Sequence, residues 1–189
     1  LGMSMASSLL QSGLTDIDVE SFAQAFKEMI VNGASPTMSP QEADQVIRAY
    51  FEKKQEEMLT NNFKAGREFL AENAKREKVI SLSSGLQYEI LKEGSGEKPK
   101  ATDKVKCHYH GTLLDGTVFD SSVQRGQPAI FGVNQVIQGW VEALQMMPVG
   151  SKWRLYIPSE LAYGERGAGK DIEPNSTLIF DVELLSIEA

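Results

Sequence analysis

A chain of 189 residues with 41% hydrophobic and 24% charged side chains has the make-up of a globular protein of one or two domains, too apolar for a disordered tail. Its net charge of -7 is spread evenly, with nine basic and twelve acidic side chains in residues 1–82 and ten and fourteen in residues 83–189, so neither half offers phosphates a basic face and nucleic acid is not an expected partner. Apolar runs are a few residues long, far short of the roughly 20 that span a bilayer, and the single cysteine, Cys107, rules out an intramolecular disulfide.

The first eighty residues carry helical periodicity. Met5, Leu9 and Leu10 mark a first helix, expected to close near Ser12-Gly13, where glycine can take the left-handed conformation. Phe22, Phe26, Met29 and Ile30 mark a second, bracketed by Asp16 or Asp18 as N-cap and Asn32-Gly33 as stop. The third has the clearest start in the chain. Ser39-Pro40-Gln41-Glu42 reads as a capping box, with Ser39 capping, Pro40 in the first helical position and Glu42 reaching back. No proline follows until Pro99, so this helix is predicted over about 39–78, a rod of roughly 55 to 60 Å. Its apolar stripe runs through Ala43, Val46, Ile47, Tyr50 and Phe51, breaks at Glu52 to Glu57, and resumes at Met58, Leu59, Phe63, Phe69 and Leu70. The first stretch can pack on the two short helices; the second is expected to meet another subunit or a second domain, because a long helix has little stability beyond its packing.

Near Ser81 to Gly85 the period changes from 3.6 to 2. Lys104 to His110, Lys152 to Ile157 and Thr177 to Leu184 alternate apolar and polar residues, the pattern of an antiparallel sheet with one buried face. Asp115-Gly116 supplies a hairpin signal, and Gln138 to Met147, ended by Pro148 and Gly150, is the helix expected to cover that face. The domains predicted are therefore 1–80, helical, and 81–189, sheet on one short helix, an α+β chain.

Three motifs point to other chemistry and each fails on a specific residue. Gly164-Glu165-Arg166-Gly167-Ala168-Gly169-Lys170 has the spacing of a phosphate-binding loop, but Asp171 stands where a magnesium-binding hydroxyl belongs and Pro174 opposes the helix that must follow. His108 and His110 share a strand face without a third ligand at motif spacing, so no metal is expected and solvent-facing histidines are. Cys107 alternates with Tyr109 on the buried face and reads as an inert core thiol.

What remains is an ordered set of phrases: His108-Tyr109-His110-Gly111, Asp115-Gly116-Thr117-Val118-Phe119-Asp120-Ser121-Ser122, Val136-Ile137-Gln138-Gly139-Trp140, Ala162-Tyr163-Gly164, and Leu178 to Leu184. In this order they resemble the FKBP-type peptidyl-prolyl cis-trans isomerases. The resemblance implies a substrate pocket with Trp140 as its floor and Tyr109, Phe119, Phe131, Val136, Ile137, Ile172 and Phe180 as walls. It implies Asp120, Tyr163 and Tyr109 as the catalytic set, Asp120 being held by the Tyr109 hydroxyl and Tyr163 donating to a substrate carbonyl, with the Ile137 N–H as a second donor. Taken singly, each aromatic also fits a packing role, Asp120 a turn carboxylate in Phe119-Asp120-Ser121-Ser122, and Tyr163 a loop anchor. The chain departs from some eukaryotic members at Ala168, where they have a histidine, and at Ala129, where they have an aromatic. Both changes bear on macrolide inhibitor affinity more than on activity.

A helical N-terminal part with a long third helix leading into such a domain resembles the bacterial Mip-like and FKBP22-type isomerases. That implies a homodimer through the N-terminal helices, using Met3, Met5, Leu9, Phe22, Phe26, Met29 and Ile30, with proline-containing client polypeptides as substrates and no cofactor. The alternative is a chaperone or proline-peptide binding module with weak or no turnover. The sequence opens on Leu1 inside what reads as helix, leaving room for an upstream segment. A single thiol fits either cytoplasm or periplasm, the cytoplasm being the working expectation.

Overall fold

The computed structural model describes residues 2–12, 14, 17–31, 33 and 38–188, and the chain folds as two compact units, Leu1–Phe51 and Glu52–Ala189. The first holds α1 (Gly2–Gln11), α2 (Val19–Ile30) and the start of α3 (Pro40–Asn73). Asp18 is the N-cap of α2, accepting hydrogen bonds from the Glu20 and Ser21 amides at 3.0 and 3.3 Å. The expected Gly13 and Asn32 stops and the alternative Asp16 cap lie outside the described residues. The capping box forms as expected: the Glu42 amide donates to Ser39 Oγ at 3.2 Å and the Ser39 amide donates to the Glu42 carboxylate at 2.8 Å.

Neither α1 nor α2 buries a described residue. Phe22, Phe26, Met29 and Ile30 remain 39 to 69% exposed, and Val46 and Ile47 on α3 are about half exposed. Three short amphipathic segments do not supply enough apolar surface to cover one another, so this stripe is left open.

The remainder of α3 belongs to the second unit and ends at Asn73, five residues before the predicted stop at Lys78. Its last carbonyls are taken by tightened turns, Lys75 N–H to Glu72 and Arg76 N–H to Asn73. The Asn73 side chain is held by Gln87 and Arg76 at 2.9 Å each, which turns the chain toward the sheet. Phe69 lies 5.8 Å from the Tyr156 ring and Leu70 is buried. The second apolar stretch of α3 thus meets the sheet of its own chain.

That sheet comprises β1 (Ile80–Ser81), β2 (Gln87–Lys92), β3 (Lys104–Thr112), β4 (Val118–Ser121), β5 (Ala129–Gly132), β6 (Lys152–Ile157) and β7 (Leu178–Glu188). All pairings are antiparallel, in the order β1-β2-β6-β7-β3-β4, with β5 also on β3. The three alternating segments of the sequence are β3, β6 and β7. The helix α4 (Gln138–Met146) follows the expected punctuation, ending before Pro148. Trp140, Ala143, Leu144 and Met147 bury against Val105, Cys107, Leu155, Ile157, Val182 and Leu184 in one core. Asp115-Gly116 makes the β3–β4 turn, with Gly116 at φ 87°.

The outer face of β2 is the unexpected part. Gln87 and Glu89, polar at alternate positions, are 6% and 5% exposed, because the end of α3 covers them. Glu89 accepts hydrogen bonds from the Tyr156 hydroxyl at 2.6 Å and from Arg76 at 2.7 Å, and Gln87 donates to the Leu70 carbonyl at 2.9 Å. A buried carboxylate is tolerable only when satisfied in this way.

Candidate active site

The core face of β3 presents Val105, Cys107, Tyr109 and Gly111 in alternation. Gly111 is flanked by Asp120 on β4 and by Phe180 on β7. A Cβ on Gly111 would sit 2.6 to 2.8 Å from atoms of the Phe119 and Phe180 rings, so this residue has to be glycine for the two aromatics to close in beside Tyr109. α4 then brings Trp140 underneath.

Four edge-to-face contacts lock the rings: Tyr109–Trp140 and Phe131–Trp140 at 5.5 Å, Trp140–Phe180 and Phe119–Phe180 at 5.3 Å between centroids, all with interplanar angles of 80° to 83°. Each such pair contributes about 0.5 to 1.5 kcal/mol beyond area burial, and a ring network of this kind holds its shape without a ligand. Among the described residues the Trp140 indole N–H has no hydrogen-bond partner.

The rings line an open cavity of about 650 Å³. All ten residues singled out in the sequence meet there. Trp140 and Phe180 are at the bottom of the exposure range at 4% and 5%, and Tyr163 at the mouth is 41% exposed. Ile137 is the N-cap of α4. Its carbonyl accepts from the Trp140 and Val141 amides, so its own N–H lies upstream of the helical ladder. Ala168 is on the wall, joined by Gln135, Gly169 and Asp171, which the sequence reading did not assign to the site. Each adjoins a residue that it did assign or discuss, and chain adjacency was the available signal.

Asp120 carries the polar chemistry. Its Oδ2 accepts the Tyr109 hydroxyl at 2.6 Å and its Oδ1 accepts an Arg125 guanidinium N–H. Arg125 closes the triangle by donating to the Tyr109 hydroxyl at 2.7 Å, with its guanidinium carbon 5.6 Å from the Tyr109 ring centroid. Partial burial pushes the Asp120 carboxyl up, and the donors Tyr109 and Arg125 outweigh it, leaving the group below its ordinary range. Burial raises Tyr109, assisted by the Asp120 carboxylate; burial also raises Tyr163, again with the Asp120 charge adding to it. Through the neutral range the site therefore holds Asp120 as a carboxylate and Tyr109 and Tyr163 as neutral phenols. Arg125 escaped notice in the sequence, although it is the only Lys or Arg between Lys106 and Lys152 and a carboxylate in a part-apolar wall needs a cation.

The two histidines face the other side of β3. They are half-buried rather than solvent-facing, each Nδ1 resting against a serine hydroxyl, Ser122 at 3.0 Å for His108 and Ser121 at 2.9 Å for His110. Cys107 is fully buried, and burial pushes its thiol up to about 12, as a core thiol should be.

Comparison with known proteins agrees with this geometry. Residues 95–185 match the family model of the FKBP-type peptidyl-prolyl cis-trans isomerase, and residues 1–90 match that of the domain amino terminal to it. The chain is 47% identical over 191 residues to the FKBP-type 22 kDa peptidyl-prolyl cis-trans isomerase of Escherichia coli, covering 99% of this chain and 92% of that one. It is 48% identical over 195 residues to the isomerase FkpA of Aeromonas hydrophila, covering 100% and 67%. The crystal structure of FkpA from Escherichia coli superposes with a TM-score of 0.83 at 36% identity, over 99% of this chain and 91% of that one.

Proposed function

This chain belongs to the FKBP-type peptidyl-prolyl cis-trans isomerases, and we propose that the cavity between β3, β4, β7 and α4 is where it rotates X-Pro bonds. Rotation needs no acid, base or nucleophile. The barrier of about 18 to 20 kcal/mol is the amide resonance lost on twisting, so the catalyst must favour the twisted bond over the planar one. Planar amides are polar and well hydrated. A bowl of five rings receives the proline ring by its apolar surface and strips water from the carbonyl, which costs the planar state more than the twisted one.

Asp120 gives the bowl a fixed negative pole. Held by two donors, it does not reorganise during the turn, and it acts on the twisted amide through its field. The Tyr163 hydroxyl and the Ile137 N–H serve as donors to the carbonyls of the bound segment, fixing the chain on both sides of the rotating bond. The single observation that carries this reading is the convergence of Asp120, Tyr163 and the ring network on one cavity.

Residues 81–189 act as the catalytic domain in this reading and 1–80 as the dimerisation domain. The open stripe of Phe22, Phe26, Met29 and Ile30 on a unit whose first two helices bury nothing supports a second copy of the chain as its cover. Among the described residues no helix is long and apolar enough to cross a membrane. Client chains limited by proline isomerisation, a step of tens of seconds, are the substrates.

Exchange NMR on a short X-Pro peptide tests the site. Asp120→Ala should lower kcat/KM about tenfold or more, the scale of a hydrogen bond to a charged group, and Tyr163→Phe less. Wild-type rates in both variants would remove these residues from the mechanism.

A further inference from the structure

One face of α3 carries Leu59, Asn62, Gly66 and Arg67, spaced three, seven and eight residues on from the first and so aligned along a helix. Every one of them touches the stretch between β6 and β7 that forms one wall of the cavity. On the upstream flank Arg67 donates to Glu160 at 2.5 Å, three residues before Tyr163. On the downstream flank the Asn62 amide donates to the Pro174 carbonyl at 2.9 Å and to the Glu173 carboxylate at 3.2 Å. Asn175 returns the contact, its side-chain amide donating to the Leu59 carbonyl at 3.2 Å. Gly66 faces Thr177 with no room for a side chain between them.

Between these two flanks lie Tyr163, Ala168, Gly169, Asp171 and Ile172, five of the residues lining the cavity. Between Tyr163 and Ile172 the segment holds one 3-10 turn, Gly164–Arg166. Ala168 and Ile172 bridge each other, and the Asn175 amide donates to the Gly164 carbonyl at 2.8 Å, closing the loop on itself. Asn175 is also the one described non-glycine residue at positive φ, 57°, a conformation that asparagine tolerates when its side chain is bonded. The loop is thus a closed hoop whose downstream joint is fastened to the helix.

We propose that α3 sets the position of this wall, with Asn62 as a positioning residue for substrate recognition acting through the Glu173–Asn175 joint. The inference rests on the cavity being the isomerase site. The Arg67–Glu160 pair is exposed on both sides and holds weakly, so the asparagine contacts carry the fastening. Loosening the joint lets the wall drift from the bound segment while Asp120 and the ring network stay in place. Binding suffers before turnover does.

The test compares Asn62→Ala and Asn175→Gly with wild type in the full chain. Glycine at 175 keeps the positive φ while losing the side chain. With an X-Pro tetrapeptide, KM should rise about three- to tenfold in each variant, the scale of one or two hydrogen bonds, and kcat should change less than about twofold. Backbone amide signals of residues 164–172 should shift or broaden, and those of β3 and α4 should not. Unchanged KM together with unchanged loop signals in both variants overturns the proposal, as does a fall in kcat at constant KM. An inactive wild type with loop signals that still respond to Asn62→Ala would instead sink the isomerase site and leave the fastening standing.

Discussion

Gly66 sits inside a 34-residue helix, two turns before its end, where replacing glycine by alanine ordinarily stabilises by about 0.8 to 1.0 kcal/mol. The opposite is expected here. An added Cβ would overlap Thr177 Oγ1, and even with that hydroxyl rotated away Thr177 Cβ stands at 3.3 Å. Thr177 is 4% exposed and has nowhere to retreat. Overpacking of this kind costs about 1 to 3 kcal/mol, and the overlap with Thr177 Oγ1 places Gly66→Ala in the upper half of that range, a net loss of about 1 to 2 kcal/mol. That corresponds to a midpoint about 2 to 8 °C lower. Thr177→Ala removes the overlapping Oγ1, and in that background Gly66→Ala should recover most of the helix preference, giving a coupling of about 2 to 3 kcal/mol. Urea unfolding followed by tryptophan fluorescence suits the measurement, since Trp140 and Trp153 are both buried in the unit concerned. A Gly66→Ala protein more stable than wild type with Thr177 present would refute the reasoning.

Because the Asp120 carboxyl is held below its ordinary value of about 3.9, its interactions stabilise the fold fully above that value and are lost as pH falls through the lower, folded one. Tyr109 and Tyr163 lie above their usual range, so kcat/KM measured by exchange NMR should be flat from about pH 5 to 9; an inflection near neutrality would implicate an acid or base that the mechanism does not use. Cys107, fully buried with its thiol pushed up to about 12, should resist alkylation at pH 8 in the native protein and react on unfolding, by intact mass; rapid native labelling would contradict its core placement. Phe22→Glu with Phe26→Glu should convert the chain from twice its mass to its single mass in light scattering while peptide kcat/KM stays within about twofold; a dimer surviving both substitutions would move the interface elsewhere.

The contrast between what the sequence disclosed and what it concealed follows from how far each signal reaches along the chain. A capping box spans four residues, and the Ser39 to Glu42 box formed as read. Strict alternation spans six or more, and β3, β6 and β7 showed it; β4 and β5, at four residues each, are too short to show any period. The ring set was legible only as an order of phrases, since nothing local distinguishes Phe131 from a packing residue until Trp140 lies 5.5 Å away. Arg125 is five residues from Asp120 across a turn, a separation with no helical or strand regularity to announce it.

β2 concealed more than the short strands did, and for a different reason. Its polar positions, Gln87 and Glu89, alternate as on a solvated face, yet both are buried. The partner that covers them, α3 with Asn73 and Arg76, is separated from them by only 13 to 17 residues of sequence, and no periodicity links a helix end to a strand face. Pattern reading assumes that polar means wet. Where a helix supplies donors for each carboxylate and amide, a polar stripe becomes an interface instead, and the same argument applies to Asn62 and Asn175. In both places the residues that fasten α3 to the sheet domain are the ones a hydrophobicity pattern assigns to water, which is why the sequence discloses the apolar contacts of the long helix and conceals its polar ones.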